Sequence, residues 1–267
     1  MARERVMHQM KLRRLTVKEV VLLTPSFRRV IFTGPDLADF VTLGPTDHMK
    51  VFFPDESGQI VTPTFGPDGI RPPESGTVIA RDYTPAHFDP ESLELAIDFY
   101  LHESTGPASA WASNASIGDE LVIAGPRGSH LPPTEIGNAL LIADETSLPS
   151  TACWLNSFPA DLPVTALISI EDSSSADYLK EHAVRWFTGD NREAELEAAV
   201  RQLNELGPES FVFLAGEAGL IARLRRYLRQ ELGLTKEQVD AHGYWKRGTA
   251  NHDHHAPLEP TEFPTNP

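Results

Sequence analysis

The sequence predicts two domains, a small antiparallel β-barrel or sandwich followed by a parallel α/β sheet. The first half contains short β-like segments separated by turn residues, and it has few helical patterns. The second half alternates continuous apolar segments with amphipathic helical patterns, which is typical of a parallel sheet covered by helices. A length of 267 residues suits one or two domains.

The N-terminal domain is expected to span residues 1–133. Its predicted strands are rich in β-branched and aromatic residues, and turn clusters such as 54–58 and 66–69 separate several of them. One helix is expected from Pro107 to about Ala115, because Gly followed by Pro suits a helix start. The predicted strands are Lys11–Thr24, Phe27–Gly34, His48–Pro54, Thr77–Thr84, Leu93–Leu101 and Asp119–Ala124.

The C-terminal domain is expected to span residues 134–248, followed by a flexible tail over 249–267. Its strands should be buried on both faces, since they are short apolar segments without alternation. They are Ala139–Ala143, Val164–Ile170 and Phe211–Ala215. Two helices are predicted from apolar stripes, one ending before Gly207-Pro208 and the other before Gly233. The stripes are Leu196, Val200 and Leu203, and Leu220, Leu224, Leu228 and Leu232.

Composition excludes several classes of function. The formal net charge of -15 repels nucleic-acid phosphates and anionic lipid. No apolar segment approaches the ~20 residues that span a bilayer, and the N-terminus lacks the apolar core of a secretory signal. The single cysteine, Cys153, excludes an iron–sulfur cluster held by four thiolates and every CxxC motif. We therefore expect a cytoplasmic protein that does not insert into a membrane.

The segment Arg81-Asp-Tyr83-Thr84 is a candidate cofactor site. Arg81 and Tyr83 should share one face of a strand, because side chains alternate with a period of two. A guanidinium suits a diphosphate, a tyrosine ring can stack on an isoalloxazine, and Thr84 lies where the strand ends. The alternative is an exposed strand that carries this pattern incidentally.

The segment from His102 to Trp111 is a candidate pyrophosphate site. Ala108 and Ser109 open the predicted helix with small side chains, and the free N–H groups of a first turn suit an anion. The alternatives are a plain helix start capped by Ser104 or Thr105, a Trp111 that belongs to the core, and a His102 that is a satisfied buried histidine.

Taken together, ordered motifs over nearly the whole chain resemble those of the siderophore-interacting protein family. These proteins are FAD-dependent ferric-siderophore reductases of the ferredoxin-reductase-like superfamily. The motifs are Arg81-x-Tyr83-Thr84, Asp98-Phe-x-x-His102, Gly106-Pro-Ala-Ser109-x-Trp111, Gly125-Pro-Arg127-Gly-Ser129, Asp144-Glu-Thr146, Ala215-Gly-Glu217 and Gly243-Tyr-Trp245.

The resemblance implies an antiparallel Greek-key FAD-binding barrel followed by a parallel α/β nicotinamide-binding sheet. It places the flavin contacts on Arg81, Tyr83, Thr84, His102, Ala108, Ser109 and Trp111. The chain departs from the family pattern at Pro85-Ala86, where a second Arg is common, and at Glu103, Ala143 and Ser147.

The electron donor is expected at the strand ends of the C-terminal sheet, because ligands of open α/β sheets bind there. No GxGxxG follows a strand, so the dehydrogenase fingerprint is absent. The candidate nicotinamide contacts are Asp144, Glu145, Thr146, Ala215, Gly216 and Glu217. The alternative is acidic helix N-termini that serve only the helix dipole. Acidic strand ends favour NADH over NADPH, and a ferredoxin remains open as the donor.

An anionic ferric siderophore needs a local cationic site on so acidic a chain. The resemblance implies a basic triad, for which Lys50, Arg127 and Arg247 are the candidates, with Lys246 as the alternative to Arg247. The alternative is three unrelated surface charges. The resemblance also implies that a nicotinamide reduces FAD and that the flavin reduces Fe(III), so no acid–base or nucleophilic residue is expected.

Two other functions remain open at this point. One is an NAD(P)H-dependent flavin reductase with a different acceptor, which would not need the basic triad. The other is a carrier that binds ferric chelates without reducing them, which would not need FAD. We expect a monomer, and we expect no functional metal at His252-Asp-His-His255 because imidazoles in a loose tail bind metals adventitiously.

Overall fold

The structure is a computed structural model that describes residues 3–66, 69–102, 106–203, 206–250, 252–253 and 258. Contacts divide the chain into two compact units. The N-terminal unit contains Glu4–Leu131 with Ala152–Trp154, and the C-terminal unit contains Arg3, Pro132–Thr151 and the chain from Leu155 onwards. No helix among the described residues is long and apolar enough to cross a bilayer.

The N-terminal unit is built around a seven-stranded antiparallel sheet with the order β7-β4-β10-β2-β3-β9-β8. Two short antiparallel pairs, β1 with β11 and β5 with β6, accompany it. The elements are β1 (Arg5–Met7), β2 (Leu12–Thr24), β3 (Phe27–Thr33), β4 (Met49–Phe52), β5 (Thr64–Gly66), β6 (Gly69–Arg71), β7 (Ala80–Tyr83), β8 (Pro85–Asp89), β9 (Glu94–Tyr100), α1 (Pro107–Asn114), β10 (Glu120–Ala124) and β11 (Gly128–His130).

The seven-stranded sheet curls around one apolar core. Alternate residues of its strands point inwards, and the core includes Phe32 of β3, Val51 of β4 and Phe99 of β9, all fully buried. Ala108 and Ala112 of α1 pack against the same core. β7 and β8 are the two edge strands of this seven-stranded sheet. Within the sheet, β7 therefore pairs along one edge only, with β4.

The C-terminal unit contains a five-stranded parallel sheet with the order β14-β13-β12-β15-β16. The order in which successive strands join the sheet reverses between β12 and β15, and this is the switch point where open α/β sheets bind ligands. The elements are β12 (Asn138–Asp144), α2 (Leu148–Ser157), β13 (Val164–Ser169), β14 (Arg185–Phe187), α3 (Arg192–Arg201), β15 (Ser210–Glu217), α4 (Ala218–Arg226) and β16 (Val239–Trp245). The prediction of a β domain followed by a parallel α/β domain is confirmed.

Several predicted boundaries differ from the structure. The strand predicted over Thr77–Thr84 begins only at Ala80, and β8 follows it although it starts with a proline. Pro85 is tolerated because β8 is an edge strand. The helix α2 was not predicted, because its Ser, Thr and Pro residues weaken the helical pattern of its sequence.

The helices of the C-terminal unit also end differently from the prediction. The helix expected to run to Gly207 ends at Arg201, and Leu203 packs against the core from the turn that follows. The helical spacing of apolar residues therefore extends past the C-terminal end of this helix. The Leu220 stripe begins in α4 and continues through a π-helical turn over Tyr227–Glu231. Its last member, Leu232, is exposed rather than buried, with 38% of its surface accessible.

Candidate functional site

The pairing of β4 with β7 determines which side chains of the RxYT segment share a face. Tyr83 pairs with Met49 and Arg81 pairs with Val51. Since cross-strand partners lie on the same face, Arg81 and Tyr83 share a face with two buried core residues. The prediction that these two side chains share a face is thus confirmed.

Tyr83 is anchored by aromatic neighbours. Its ring centroid lies 4.6 Å from that of Phe99 and 6.3 Å from that of Phe53. Burial raises the pKa of Tyr83, and the nearby Arg81 only partly offsets this effect. The phenol therefore stays neutral. The contacts with Phe99 and Phe53 hold the Tyr83 ring in place, as a ring that stacks on a ligand requires. Thr84 follows directly after β7 and is partly buried.

The start of α1 offers an open, small-residue surface. Gly106 is the N-cap in extended conformation, with Pro107 at the first helical position, and among the described residues no side chain caps this helix. Ala108 and Ser109 are buried, and Ser109 Oγ donates to the Tyr100 carbonyl at 3.4 Å. A Cβ added to Gly106 would meet open space. The predicted caps Ser104 and Thr105, like Glu103, lie outside the described residues.

Two other predicted flavin contacts have different surroundings. Trp111 packs against the core, with its ring stacked on Phe32 at 6.1 Å and close to Phe99 at 5.7 Å. Its packing role is therefore established by these contacts, and only its partly exposed surface is available to a ligand. His102 is exposed, and its ring lies 5.9 Å from that of Tyr100. The alternative of a buried histidine is wrong.

Arg28, which sequence reasoning missed, fixes the other end of α1. Its Nη1 donates to the carbonyl oxygens of Ala112 and Ser113 at 2.9 and 2.6 Å. These are carbonyls of the last helical turn, which have no intrahelical partner, and a cation there complements the helix dipole. Arg28 lies on β3. No sequence signal links it to α1, because their contact is made by tertiary folding.

Lys50 and Arg127 belong to neighbouring elements of the N-terminal unit. Lys50 lies on β4 and pairs with Ala124, the last residue of β10, and Arg127 follows three residues later in the chain. The carbonyl of Arg127 accepts a hydrogen bond from the His8 amide at 2.9 Å, which holds this loop against the segment after β1. Both cationic side chains are exposed.

Lys50 forms an ion pair that the sequence did not predict. Its Nζ lies 2.9 Å from Oδ2 of Asp82, its direct cross-strand partner on β7. Lys50 and Asp82 therefore lie on the opposite face of the ladder from Arg81 and Tyr83. A ligand that contacts both faces must reach around the edge strand β7.

In the C-terminal unit, Asp144 ties three strand ends together. Its Oδ1 accepts from the Thr146 amide and hydroxyl at 3.0 and 2.6 Å. Its Oδ2 accepts from the Glu217 amide at 2.9 Å and from Trp245 Nε1 at 2.8 Å. Burial raises the pKa of Asp144, and these hydrogen bonds oppose the rise. Because four donors occupy its carboxylate, Asp144 acts here as an internal bridge rather than as an acceptor facing a ligand.

Gly216 explains how β15 approaches this carboxylate. Its φ is +146°, and a Cβ there would lie 2.4 Å from Oδ2 of Asp144. Only glycine allows the chain to pass this close. The neighbouring Ala215 is buried, and its carbonyl accepts from Ser147 Oγ at 2.8 Å. The predicted residues at the ends of β12 and β15 are thus brought together by direct hydrogen bonds.

Glu145 and Glu217 are also engaged within the unit. Glu145 is buried and accepts a hydrogen bond from the Glu171 amide. Burial raises the pKa of Glu145 to about 7, opposed by that hydrogen bond and assisted by the nearby charge of Asp144. Glu217 Oε2 accepts from the Leu220 amide at 2.8 Å and so caps α4. The alternative of acidic residues serving a helix dipole applies to Glu217.

The two candidate cations after β16 differ in their surroundings. The Nη2 of Arg247 lies 2.7 Å from Oε1 of Glu193, and its guanidinium lies 6.0 Å from the Trp245 ring centroid. Lys246 is exposed and makes no ion pair within the described part of the chain. Lys246 is therefore the more available cation, whereas Arg247 already neutralises Glu193. Of the histidine-rich segment, His254 and His255 lie outside the described residues.

The barrel residues fit a bound FAD. A guanidinium, an aromatic platform and a helix start with a glycine N-cap and small side chains supply donors for a diphosphate and a surface for a ring. The parallel sheet of the C-terminal unit follows this antiparallel sheet in the chain. The same order of domains is found in flavin reductases that use a nicotinamide. A flavohaem-like FAD/NAD-binding domain from Vibrio cholerae shares this fold, with a TM-score of 0.60 and 15% identity over 85% of this chain and 96% of that chain.

The chain belongs to the siderophore-interacting protein family. Residues 16–130 match the siderophore-interacting FAD-binding domain, and residues 137–248 match the siderophore-interacting protein domain. The chain is 34% identical to the NADPH-dependent ferric-chelate reductase of Escherichia coli K12, over 91% of this chain and 96% of that protein. It is 30% identical to the ferric vibriobactin reductase ViuB of Vibrio cholerae, over 85% and 86%.

A solved structure is also similar over nearly its whole length. A siderophore utilization protein from T. fusca superposes with a TM-score of 0.86 and 33% identity, covering 95% of this chain and all of that one. These similarities confirm the predicted family, the predicted use of FAD and NAD(P)H, and the assignment to the oxidoreductases.

Proposed function

We propose that this protein is a ferric-siderophore reductase that draws electrons from NAD(P)H through FAD. One observation carries the proposal: within the N-terminal unit the RxYT strand β7 pairs with β4, which carries the exposed Lys50, and β4 pairs with β10, whose last residue, Ala124, precedes the exposed Arg127 by three positions. In a chain of net charge -15, exposed cations at adjoining strand ends are suited to an anionic chelate. The names of the relatives, which describe ferric-chelate and ferric-vibriobactin reductases, support the same acceptor.

The residues of the chain have positioning roles in this proposal. Arg81 and the first amides of α1 hold the diphosphate, and the Tyr83 ring orients the isoalloxazine. Bound FAD supplies hydride acceptance from a nicotinamide and single-electron transfer to Fe(III). Lys50 and Arg127 bind the chelate, and Fe(II) is released because it binds hard oxygen ligands more weakly than Fe(III) does.

We propose NADPH rather than NADH as the donor. The preference for NADH rested on acidic strand ends, but Asp144 is bonded to four donors, Glu145 is buried and Glu217 caps α4. These carboxylates therefore make their contacts within the protein, and they no longer argue against binding of the ribose 2′-phosphate of NADPH. The E. coli relative is named as NADPH-dependent. A KM for NADPH at least as high as that for NADH would contradict this proposal.

The first experiment tests cofactor and acceptor together. The purified protein should be yellow, release FAD on denaturation, and be bleached anaerobically by NADPH. Addition of a ferric chelate should restore the oxidised flavin spectrum and generate Fe(II), detected with a ferrous-specific chelator. A colourless protein that still binds ferric chelates would favour the carrier, and a reduced flavin that ferric chelates do not reoxidise would favour another acceptor.

The second experiment tests the cations. Lys50→Ala and Arg127→Ala should raise KM for an anionic chelate while leaving FAD bound. Arg14→Ala is the matched control, because Arg14 is an exposed cation of the same sheet that is paired with Glu120 at 2.9 Å. Lys246→Ala and Arg247→Ala should be compared in the same assay. Unchanged KM in both the Lys50 and Arg127 variants would contradict their binding role.

We further propose that the protein acts as a cytoplasmic monomer. The reducing cytoplasm is consistent with a chain whose single cysteine cannot form an internal disulfide. Size-exclusion chromatography with light scattering at several protein concentrations tests the monomer.

A further inference from the structure

The charge of Lys50 is compensated by a carboxylate built into the cofactor-binding strand. Asp82 lies between Arg81 and Tyr83, and its Oδ2 is 2.9 Å from the Lys50 ammonium. The two side chains retain 24% and 50% of their exposure, so the pair is open to solvent and to a ligand. The antiparallel register makes them direct cross-strand partners, so the strand pairing itself holds them together.

This geometry has a consequence for the proposed chelate site. Any anion that approaches the Lys50 ammonium also approaches the Asp82 carboxylate. The chelate must compete with that carboxylate for the ammonium, and it is repelled by a fixed negative charge. Both effects grow with the number of negative charges on the chelate and vanish for a neutral one. Because the Lys50–Asp82 ion pair is exposed, it is weak. A single substitution can therefore shift the competition between the chelate and Asp82 for the Lys50 ammonium.

We propose that Asp82 is a specificity-determining residue. It restrains Lys50 and so lowers the affinity of the site for multiply anionic ferric chelates relative to chelates of low net charge, such as those with hydroxamate ligands. This inference rests on the proposed function, because it assumes that Lys50 contacts the chelate. It predicts that removing the Asp82 charge widens the range of substrates towards tricatecholates.

The test uses the purified FAD-loaded protein and redox-inert gallium(III) chelates, so that binding is measured without electron transfer. The probes are a hexadentate gallium tricatecholate, which is triply anionic, and gallium tris(acetohydroxamate), which is neutral. Dissociation constants are measured by titration calorimetry at low and at high salt. Asp82→Asn should tighten tricatecholate binding about three- to tenfold at low salt, with a smaller gain at high salt. Binding of the neutral chelate should stay within about 1.5-fold, since no charge is at stake.

Two controls isolate the role of the pair. Glu120→Gln removes the same charge from another, more exposed ion pair between neighbouring strands of the sheet, that with Arg14, at the far end of β10 from Ala124. It should leave tricatecholate binding nearly unchanged. In a Lys50→Ala background, the gain from Asp82→Asn should fall to less than half. A spectrum and FAD content equal to the unsubstituted protein show that Asp82→Asn leaves the flavin site intact.

The outcomes separate the two proposals. If Lys50→Ala does not weaken tricatecholate binding, the role of Lys50 in the proposed function fails. If Lys50→Ala weakens binding but Asp82→Asn has no effect, only the specificity role of Asp82 fails. The same holds if Asp82→Asn tightens both chelates equally, if Glu120→Gln has the same effect, or if the gain is undiminished without Lys50. A selective gain that depends on Lys50 supports the proposal.

Discussion

Replacing Asp144 by Asn should strongly destabilise the C-terminal sheet. The carboxylate accepts four hydrogen bonds, from the Thr146 amide and hydroxyl, the Glu217 amide and the Trp245 indole. An Asn side chain presents one oxygen and one NH2 group, so two of these donors would face another donor. Each buried donor left unsatisfied costs about 1–3 kcal/mol.

The net effect of this substitution is smaller than the sum of the lost hydrogen bonds. The Asn side chain carries no charge, so it avoids the desolvation that raises the pKa of Asp144. We therefore expect a loss of roughly 2–4 kcal/mol in the free energy of unfolding, which corresponds to a fall in Tm of about 6–12 °C.

Thermal unfolding followed by circular dichroism measures this change. Asp190→Asn is the matched control, because Asp190 is exposed in the same unit. It should shift Tm by no more than about 2 °C, as surface substitutions do. If Asp144→Asn behaves like this control, the carboxylate does not join the strand ends, and the account of this edge of the sheet is wrong.

Three further substitutions test other contacts. Gly216→Ala should lower the free energy of unfolding by more than about 2 kcal/mol, because its Cβ would collide with Asp144 in a backbone conformation that disfavours side chains; a neutral effect in chemical denaturation would contradict the close approach. Burial raises the folded pKa of Glu145 to about 7, above its unfolded value, so its contribution to stability is present below the unfolded pKa and is lost as pH rises through about 7. Glu145→Gln keeps the acceptor for the Glu171 amide. As the pH rises from 5 to 8, the stability of this variant relative to the unsubstituted protein should therefore increase by roughly 2–3 kcal/mol, seen as a growing difference in Tm; parallel pH profiles of the two proteins would refute the shifted pKa. Arg28→Ala should cost about 1 kcal/mol and speed FAD loss on dilution, measured by flavin fluorescence, because α1 loses the cation at its C-terminus; FAD retention equal to that of Arg14→Ala would show that Arg28 does not position the helix.

Much of the fold and part of the candidate site were predictable from local patterns. Continuous apolar segments such as Ala139–Ala143 predicted buried parallel strands, and alternation predicted that Arg81 and Tyr83 share a face. The open start of α1 followed from Gly106-Pro107. These features depend on neighbours within a few residues, so the sequence carries them directly.

The partners of the charged residues were not predictable in this way. The sequence suggested Lys50 and Arg247 as free cations and Asp144 as a ligand contact. The structure pairs Lys50 with Asp82, Arg247 with Glu193, and Asp144 with donors from two other strand ends. Each partner lies between about 30 and 100 residues away in the chain, and strand register decides the contact.

The sequence by itself determined the two-domain order, the family, the cofactor class and the residue types available for a cofactor and a chelate. Only the tertiary structure decided which charges remain available to a ligand and which are consumed inside the protein. The physical reason is that periodicity and turn chemistry act between near neighbours, whereas the neutralisation of a buried or cross-strand charge depends on distances set by sheet register and packing. In this protein, Asp82 opposite Lys50 is the clearest case.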